Sequence, residues 1–120
     1  HGGRGGVDLR ESPYDARLTA RVEAGPRGPC LLVTPWNYPL MQAVLKVAPA
    51  LAAGNTCVLK PSPLASLTCV AFFGDCLYGE GSSLPPGVAN LVTGGPPTGV
   101  VTRATTALTA HPDVAFASFT

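Results

Sequence analysis

A largely apolar stretch, residues 33–60, constrains the fold more than any other part of this 120-residue sequence. It starts at the end of one apolar run, turns at residues 35–37, continues in a helical pattern and ends in a second apolar run that reaches Lys60. Short apolar runs on either side of a helical pattern are typical of buried strands in a parallel sheet.

The helical part of this stretch has few polar residues. Pro39 suits the first helical turn, where its missing N–H costs nothing. Within residues 40–53 only Gln42 and Lys46 are strongly polar, and their spacing of four places them on one narrow face. We therefore expect this helix to be buried against a sheet. We also expect a bend at Pro49, because a proline inside a helix removes an internal hydrogen bond.

The same alternation continues along the chain. Strands are predicted over Cys30–Thr34 and over residues 56–59, 88–92 and 114–119. Two further helices are predicted over residues 66–77, with Ser66 placed to cap the first of them, and over residues 100–110. Loops or turns are predicted at residues 60–63, 78–87, 94–99 and 111–113. Strict alternation of strands and helices predicts an α/β fold with a parallel, doubly wound, Rossmann-like sheet.

The first 24 residues have a different character. Residues 1–11 are rich in Gly and Arg without periodicity, which is typical of a linker or a disordered segment. Residues 12–24 alternate weakly and predict an edge strand, and a Gly/Pro turn follows at residues 25–28. We therefore divide the chain into an N-terminal extension, 1–24, and the α/β part, 25–120.

Composition narrows the class of protein. Hydrophobic residues make up 46% of the chain and charged residues 12%, which is little charge for a free-standing surface and indicates a piece of a larger body. The net charge of +1, with scattered basic residues, argues against a nucleic-acid partner. No apolar run approaches the ~18 residues of a membrane-spanning helix. Because the chain begins with His1, the lack of a targeting segment is uninformative.

The cysteines indicate reduced thiols rather than disulfides or a metal site. The four cysteines are Cys30, Cys57, Cys69 and Cys76, and they lie inside apolar segments. None of them belongs to a C-x-x-C pair, and neither histidine is close to a cysteine pair. Buried, reduced thiols suit an intracellular protein, and the pattern predicts no metal centre.

Three ordered motifs resemble the aldehyde dehydrogenase superfamily. They are Pro-Trp-Asn-Tyr-Pro at residues 35–39, Lys-Val-Ala-Pro-Ala-Leu-Ala-Ala-Gly-Asn at 46–55 and Val-Leu-Lys-Pro-Ser at 58–62. Residues 64–69 and 84–88 are most similar to the betaine-aldehyde and aminoaldehyde branch. The resemblance implies the front part of an NAD- or NADP-binding domain, still incomplete at residue 120.

The resemblance also implies properties of the parent enzyme. It would oxidise a small-molecule aldehyde to a carboxylic acid with NAD or NADP, and it would assemble as a homo-oligomer. Its compartment would be the cytoplasm or an organelle such as a plastid, peroxisome or mitochondrion, which the sequence leaves open.

Asn37 is the candidate catalytic residue. It follows a predicted buried strand, and open α/β sheets bind ligands at the carboxyl ends of their strands. Local sequence alone favours a capping role for Asn37 at the helix that starts near Pro39. The resemblance instead implies that its neutral amide N–H stabilises charge developing on the aldehyde oxygen.

The candidate cofactor-binding residues come from the resemblance. Lys60, at the end of an apolar strand, must point into solvent or toward a ligand, and in the family the matching lysine binds the hydroxyls of the adenine ribose. Pro35 and Trp36 would line the nicotinamide side, although Trp36 could equally be a core aromatic. Thr34 would offer its backbone near the nicotinamide ribose.

Phe119 and Thr120 resemble the start of a turn that leads to the pyrophosphate-binding helix. The glycine and serine that complete this turn in the family do not fall within residues 1–120.

Two departures from the family stand beside these matches. A ribose-binding glutamate falls on Pro63, and its loss would remove repulsion toward a 2′-phosphate, leaving Lys60 and Ser62 to receive it and NADP tolerated. The turn at residues 94–99 is also shifted, and its register is open.

The family's nucleophilic cysteine and glutamate base are expected downstream of these 120 residues. None of the four cysteines matches the nucleophile, a thiol in apolar surroundings is poorly ionised, and Cys76 has no neighbouring base although its pattern is the most exposed. His111, which precedes Pro-Asp, is predicted to be a solvated loop histidine rather than a catalytic one. The alternatives to an enzyme segment are an inactive relative and a fragment with only a structural or ligand-binding role.

Overall fold

The described part of the chain forms a pair of antiparallel strands, followed by a separate four-stranded parallel sheet with its helices. The structure is a computed structural model, and it describes residues 8–11, 17, 19–22, 24–94 and 99–120. The strands are β1 (Asp8–Glu11), β2 (Thr19–Val22), β3 (Cys30–Thr34), β4 (Cys57–Pro61), β5 (Ala89–Leu91) and β6 (Phe116–Phe119). The helices are α1 (Pro39–Ala52), α2 (Ser66–Ala71) and α3 (Gly99–Thr109), with a 3₁₀ turn over Pro63–Ala65 and a π-helical turn over Phe72–Leu77.

The sheet has the order β5-β4-β3-β6, and every neighbouring pair is parallel. The chain starts in the middle with β3, adds β4 and β5 on one side, and then crosses to add β6 on the other. Crossovers of this kind are right-handed in nearly all proteins, so α1 and α2 lie on one face and α3 on the other. The predicted α/β fold with a parallel, doubly wound sheet is confirmed. The side on which new strands are added changes at β3, so the reversal point of the strand order lies between β3 and β6.

The core lies between the sheet and the α1–α2 face. Alternate residues of β3 and β4 point to this face, and helices α1 and α2 cover them with small or apolar side chains. The buried cluster comprises Cys30, Leu32, Ala43, Val47, Cys57, Leu59, Cys69, Phe73 and Ala89. Burial of helix α1 is only partial, because Leu40, Met41, Val44 and Leu45 on its outer side are exposed.

The C-terminal end of α1 is closed by backbone hydrogen bonds. The N–H of Gly54 donates to the carbonyl of Leu51 at 2.9 Å, and the N–H of Asn55 donates to that of Ala50 at 3.0 Å. Gly54 has φ 81°, the left-handed conformation that this ending requires. Pro49 remains inside the helix, which runs on to Ala52.

Asn55 ties this helix end to the start of β3. Its Oδ1 accepts from the backbone N–H of Arg27 at 2.6 Å and of Gly28 at 3.0 Å, and its Nδ2 donates to the carbonyl of Ala50 at 3.3 Å. The predicted turn at residues 25–28 is therefore held by a side chain 27 residues away, counted from Gly28.

Two predictions for the N-terminal extension change. Residues 8–11 were expected to belong to a linker, but they form β1 and pair antiparallel with β2, from Asp8 opposite Val22 to Glu11 opposite Thr19. Of the edge strand predicted over residues 12–24, the structure shows β2 at Thr19–Val22, and residues 12–16, 18 and 23 lie outside the described residues. The pairing supplies backbone hydrogen bonds that a four-residue pattern in one segment cannot reveal.

Two local predictions around β4 and α2 are also wrong. Lys60 and Pro61 belong to β4 rather than to a loop, because β4 pairs with β3 as far as Thr34 opposite Pro61. Ser66 does not cap α2, whose N-cap position is Ala65 without a side-chain hydrogen bond. Ser62 caps the preceding 3₁₀ turn instead, its Oγ accepting from the N–H of Leu64 at 3.3 Å.

The helix predicted over residues 66–77 changes from α to π geometry at residue 72. Residues 95–98 of the predicted turn at 94–99 lie outside the described residues. No helix in the described ranges has the length and apolarity needed to span a membrane.

Gly54→Ala is expected to lower the free energy of unfolding by about 1–2 kcal/mol, because a Cβ is disfavoured in the left-handed conformation. Space is not the cause, since the nearest atom to the added Cβ would be that of Pro26 at 3.7 Å. Gly74→Ala is the matched control, because Gly74 has no positive φ and no atom within 4 Å of an added Cβ. Urea unfolding of both variants measures the difference, and equal effects at the two positions would contradict this account.

Candidate functional site

The carboxyl ends of three adjacent strands meet at one edge of the sheet. In the register of β3 and β4, Thr34 lies opposite Pro61, and in the register of β3 and β6, Val33 lies opposite Phe119. The segments that leave these three ends therefore start side by side. The topology brings the predicted site residues to this edge, which includes the reversal point between β3 and β6 where open α/β sheets bind ligands.

The turn between β3 and α1 is exposed. Trp36 is 64% exposed and Tyr38 is 70% exposed, while Pro35 is half-buried. The alternative that Trp36 is a core aromatic is therefore wrong for the described part of the chain. An exposed indole beside a ligand-binding edge is available to pack against a ligand.

Asn37 does not cap helix α1. The N-cap residue is Tyr38, with φ 50° and ψ 52°, and no side chain caps the helix. Asn37 is exposed, and its amide makes no hydrogen bond within the described ranges. The capping role that the local sequence favoured for Asn37 is therefore wrong. Both N–H donors of its amide are available within the described ranges.

Thr34 ends β3 with a buried hydroxyl. The residue is 3% exposed, and its Oγ1 has no hydrogen-bond partner among the described residues. An unsatisfied buried hydroxyl costs about 1–3 kcal/mol. Such groups are rare away from sites where a further partner binds.

Lys60 is buried rather than solvent-exposed. It is 4% exposed, and its Nζ donates to the carbonyl of Pro61 at 3.2 Å. Burial lowers the pKa of this ammonium. Because side chains alternate along a strand, Lys60 lies on the opposite face from Leu59 and the buried cluster. Of the two placements predicted for Lys60, the solvent-directed one is wrong. An ammonium has three N–H donors, and only one has a partner here.

The remaining predicted residues lie around the same edge. Ser62 is half-buried and its Oγ accepts the hydrogen bond from Leu64, so its hydroxyl can still donate. Pro63 begins the 3₁₀ turn and offers no carboxylate. Phe119 ends β6 with 54% exposure, and Thr120 beyond it is also exposed.

Three of the four thiols are buried. Cys30, Cys57 and Cys69 are buried and free, and burial raises the pKa of each. For Cys57, burial and then the neighbouring Cys30 raise the pKa to about 11, although the backbone N–H of Asn90 lowers it. Cys76 is exposed and free, as its pattern predicted.

His111 is solvent-exposed, as predicted for a loop histidine. Its Nδ1 accepts from the N–H of Asp113 at 3.3 Å and lies 3.9 Å from the Asp113 carboxylate. Within the described ranges, no group of three or more His, Cys, Asp or Glu residues could hold a metal ion.

A cavity that the sequence did not predict lies between α1 and β6. Its volume is about 380 Å³, and its walls include Leu32, Leu45 and Phe116. Lys46 crosses it and donates from Nζ to the Oγ of Ser118 at 2.7 Å. Burial lowers the pKa of Lys46. The sequence signal for a buried polar contact here was a lysine within a mostly apolar helix. Its partner Ser118 could not be predicted without knowing that β6 lies beside β3.

The strand order, the reversal point and the polar groups at the carboxyl edge define an α/β protein of the nucleotide-binding type. A family model described as "Aldehyde dehydrogenase family" matches residues 7–120. The chain belongs to the aldehyde dehydrogenase family, which confirms the resemblance seen in the three motifs.

Relatives from the predicted branch are similar over most of this chain. Betaine aldehyde dehydrogenase, chloroplastic, of Beta vulgaris is 51% identical over 105 residues, which cover 87% of this chain and 19% of that protein. Aminoaldehyde dehydrogenase 2, peroxisomal, of Pisum sativum is 50% identical over 109 residues, covering 90% of this chain and 20% of that protein. The chain thus spans about a fifth of the length of these relatives.

Solved structures share the fold. Betaine aldehyde dehydrogenase of Staphylococcus aureus in complex with NAD⁺ aligns with a TM-score of 0.78 at 33% identity, over 98% of this chain and 22% of that one. Aldehyde dehydrogenase C of Pseudomonas syringae, a mutant complexed with NAD⁺ and octanal, aligns with a TM-score of 0.66 at 46% identity, over 81% and 18%.

The buried thiol of Cys57 is expected to make stability depend on alkaline pH. Between pH 9 and about 11 the unfolded thiol loses its proton while the native one keeps it, so the free energy of unfolding falls as pH rises. A shift of about two pKa units corresponds to about 2–3 kcal/mol. Urea unfolding at a series of pH values should show a shallower fall for Cys57→Ala than for the parent, with Cys76→Ala as the exposed-thiol control. Parallel curves for the parent and Cys57→Ala would contradict the assignment.

Proposed function

We propose that the full-length protein is an NAD(P)-dependent aldehyde dehydrogenase that oxidises an aldehyde to a carboxylic acid. In this proposal the 120 residues supply part of the cofactor site and one hydrogen-bond donor to the reacting carbonyl oxygen. The observation that carries it is the exposed amide of Asn37, which has no hydrogen-bond partner among the described residues and lies at the carboxyl edge of a parallel sheet. Membership of the aldehyde dehydrogenase family supports aldehyde oxidation as the reaction in which that amide takes part.

The proposed role of Asn37 is to stabilise an oxyanion. Attack of a thiolate on an aldehyde moves negative charge onto the carbonyl oxygen, and a donor already in place lowers the energy of that state. A neutral amide does this without holding a charge of its own in the ground state. Asn37 suits the role because no described group competes for its N–H bonds. The attacking cysteine and the glutamate base are proposed to come from other parts of the protein.

The residues around the edge fit a dinucleotide. Among the described residues, two N–H donors of Lys60 have no partner and are available to ribose hydroxyls, and the hydroxyl of Thr34 at the strand end is unpaired. Pro35 and the exposed ring of Trp36 provide an apolar wall. When bound, the cofactor supplies the hydride acceptor. The contribution of this chain is to hold and orient it, with Ser62, Phe119 and Thr120 placed at the flanks of the same edge.

The names of the relatives support proposals on substrate and compartment, and the family resemblance supports a proposal on assembly. The names of the beet and pea proteins support a betaine-type or amino aldehyde as substrate. We propose a homo-oligomeric, intracellular enzyme, either cytoplasmic or organellar.

Pro63 supports a second candidate, a relative that retains the fold without the activity. The residue occupies the position of a family carboxylate and cannot form that contact. Its position in a 3₁₀ turn beside Ser62 leaves the cofactor edge otherwise open, so altered cofactor preference explains Pro63 without loss of function. The absence of turnover in the full-length protein, with NAD binding intact, would favour this second candidate.

Asn37→Ala in the full-length protein is expected to lower kcat by about 10²–10³-fold, because one oxyanion donor is removed. The Kd for NAD should not change, since Asn37 is assigned to the carbonyl and not to the nucleotide. Asn90→Ala is the matched control, because Asn90 is an exposed asparagine whose Nδ2 donates to the carbonyl of Gly87 on a different strand end. Steady-state kinetics and a cofactor titration measure both quantities, and an unchanged kcat in Asn37→Ala would rule out the role.

The full-length protein is expected to bind NADP as well as NAD, because no carboxylate at residue 63 repels a 2′-phosphate. Pro63→Glu should weaken NADP by at least about tenfold while NAD binding is kept, since like charges at close range are unfavourable. Lys60→Met should weaken the binding of both cofactors by about tenfold or more through the lost charged hydrogen bond. Lys46→Met, at the half-buried lysine of α1, should weaken the binding of neither. Fluorescence titration of the parent and the three variants gives the dissociation constants for NAD and NADP, and a large NADP penalty in the parent would contradict the proposal.

A further inference from the structure

Tyr38 has an unusual backbone conformation at the edge of the candidate site. Its φ of 50° and ψ of 52° place it in the left-handed region, and it is the only described residue other than glycine with a positive φ. A Cβ makes this region unfavourable, and a bulky side chain there is a genuine outlier. The ring is 70% exposed, so packing of the ring does not impose the conformation.

The chain is fixed immediately after Tyr38. The carbonyl of Tyr38 accepts the N–H of Gln42 at 3.0 Å, the first hydrogen bond of helix α1. That helix is anchored by the fully buried side chains of Ala43 and Val47. The ring of Pro39 also disfavours the right-handed helical region for the residue before it. Tyr38 therefore cannot join the helix and must turn the chain into it.

The chain is equally fixed before the turn. Thr34 is 3% exposed and lies opposite Pro61 in the sheet, so the end of β3 cannot move without breaking the strand pairing. Only residues 35–38 connect these two anchors. Asn37 has no side-chain hydrogen bond to hold it within the described ranges. Its direction is thus set by the backbone, and the torsions of Tyr38 are the last ones before the anchored helix.

We propose that Tyr38 is a positioning residue whose left-handed backbone, and not its ring, directs the amide of Asn37 toward the carboxyl edge of the sheet. The inference rests on the catalytic role proposed for Asn37. Strained residues persist where the surrounding structure over-determines them, and such residues cluster at active sites. An extended conformation at residue 38 would remove the strain but would rotate the peptide that carries Asn37 relative to the helix.

The test is a series of substitutions at residue 38 in the full-length protein, made with and without Asn37→Ala. Tyr38→Gly and Tyr38→Asn adopt the left-handed conformation readily, and both should keep kcat within about threefold while raising Tm. Tyr38→Val, which is β-branched, should lower kcat at least about tenfold with an unchanged Kd for NAD. In the Asn37→Ala background, Tyr38→Val should cause no further loss of kcat, because the group it misdirects is gone.

Gly81→Ala is the control for strain alone. Gly81 has φ 83° and no atom within 4 Å of an added Cβ, so this change should lower Tm and leave kcat unaltered. A kcat that falls equally in Tyr38→Gly and Tyr38→Asn but not in Tyr38→Phe would assign the effect to the ring and overturn the inference. Independent, multiplicative effects of Tyr38→Val and Asn37→Ala would overturn it as well. An Asn37→Ala variant with full activity would remove the catalytic role and this inference together.

Discussion

The pairing of β3 with a parallel strand on each side is the interaction on which the rest of the structure depends. It places the ends of β4 and β6 beside Thr34, through the registers that align Thr34 with Pro61 and Val33 with Phe119. Parallel strands can be joined only by long crossovers, so α1 is required as the connection between β3 and β4, and α2 as the connection between β4 and β5. The apolar faces of these two helices then become part of the core. Every candidate site residue leaves the sheet from one of these three strand ends. A shift of one residue in the pairing of β4 with β3 would move Lys60 to the other face of the sheet and separate the site.

The edge of the sheet holds polar groups that the fold does not satisfy. Within the part of the chain that the structure describes, the buried hydroxyl of Thr34 has no partner, and the buried ammonium of Lys60 has one carbonyl partner for its three donors. Either feature lowers the stability of the isolated fold, since burial of an unpaired polar group is unfavourable. The two groups lie at the same end of neighbouring strands but on opposite faces of the sheet, because Thr34 alternates with Val33 and Lys60 alternates with Leu59. The buried thiols of Cys30 and Cys57 differ, because a thiol is nearly apolar and its burial with a raised pKa only makes it inert.

Most of the fold could be predicted because its signals are local. The apolar run of β3 is bounded by Pro29 and Pro35, and its predicted limits are those of the structure. Helix α1 likewise begins at its predicted proline and ends at the glycine that closes it. The errors lie where tertiary pairing decides. Strand β4 extends through Lys60 and Pro61 because β3 is there to pair with it, and the cap passes from Ser66 to Ser62 because a 3₁₀ turn intervenes. The burial of Lys60 was missed for the same reason, since strand ends are usually solvated and only the neighbouring strands exclude water here.

The geometry of the turn at Asn37 shows what a sequence constrains and what it leaves to the fold. Pro39 fixes the first helical residue and disfavours the right-handed region at Tyr38, and both effects can be predicted from the sequence. The choice between an extended and a left-handed Tyr38 cannot, because it depends on where β3 ends relative to the helix. Helix α1 lies across the face that carries Leu32 and Leu59, and its first turn is held against α2 by the contact of the Cys69 thiol with the carbonyl of Pro39 at 3.9 Å. The hydrophobic core therefore determines the helix position, the helix position determines the torsion, and the torsion determines the direction of the amide. Packing some distance from the reacting atoms is in this way part of the chemistry proposed for the site.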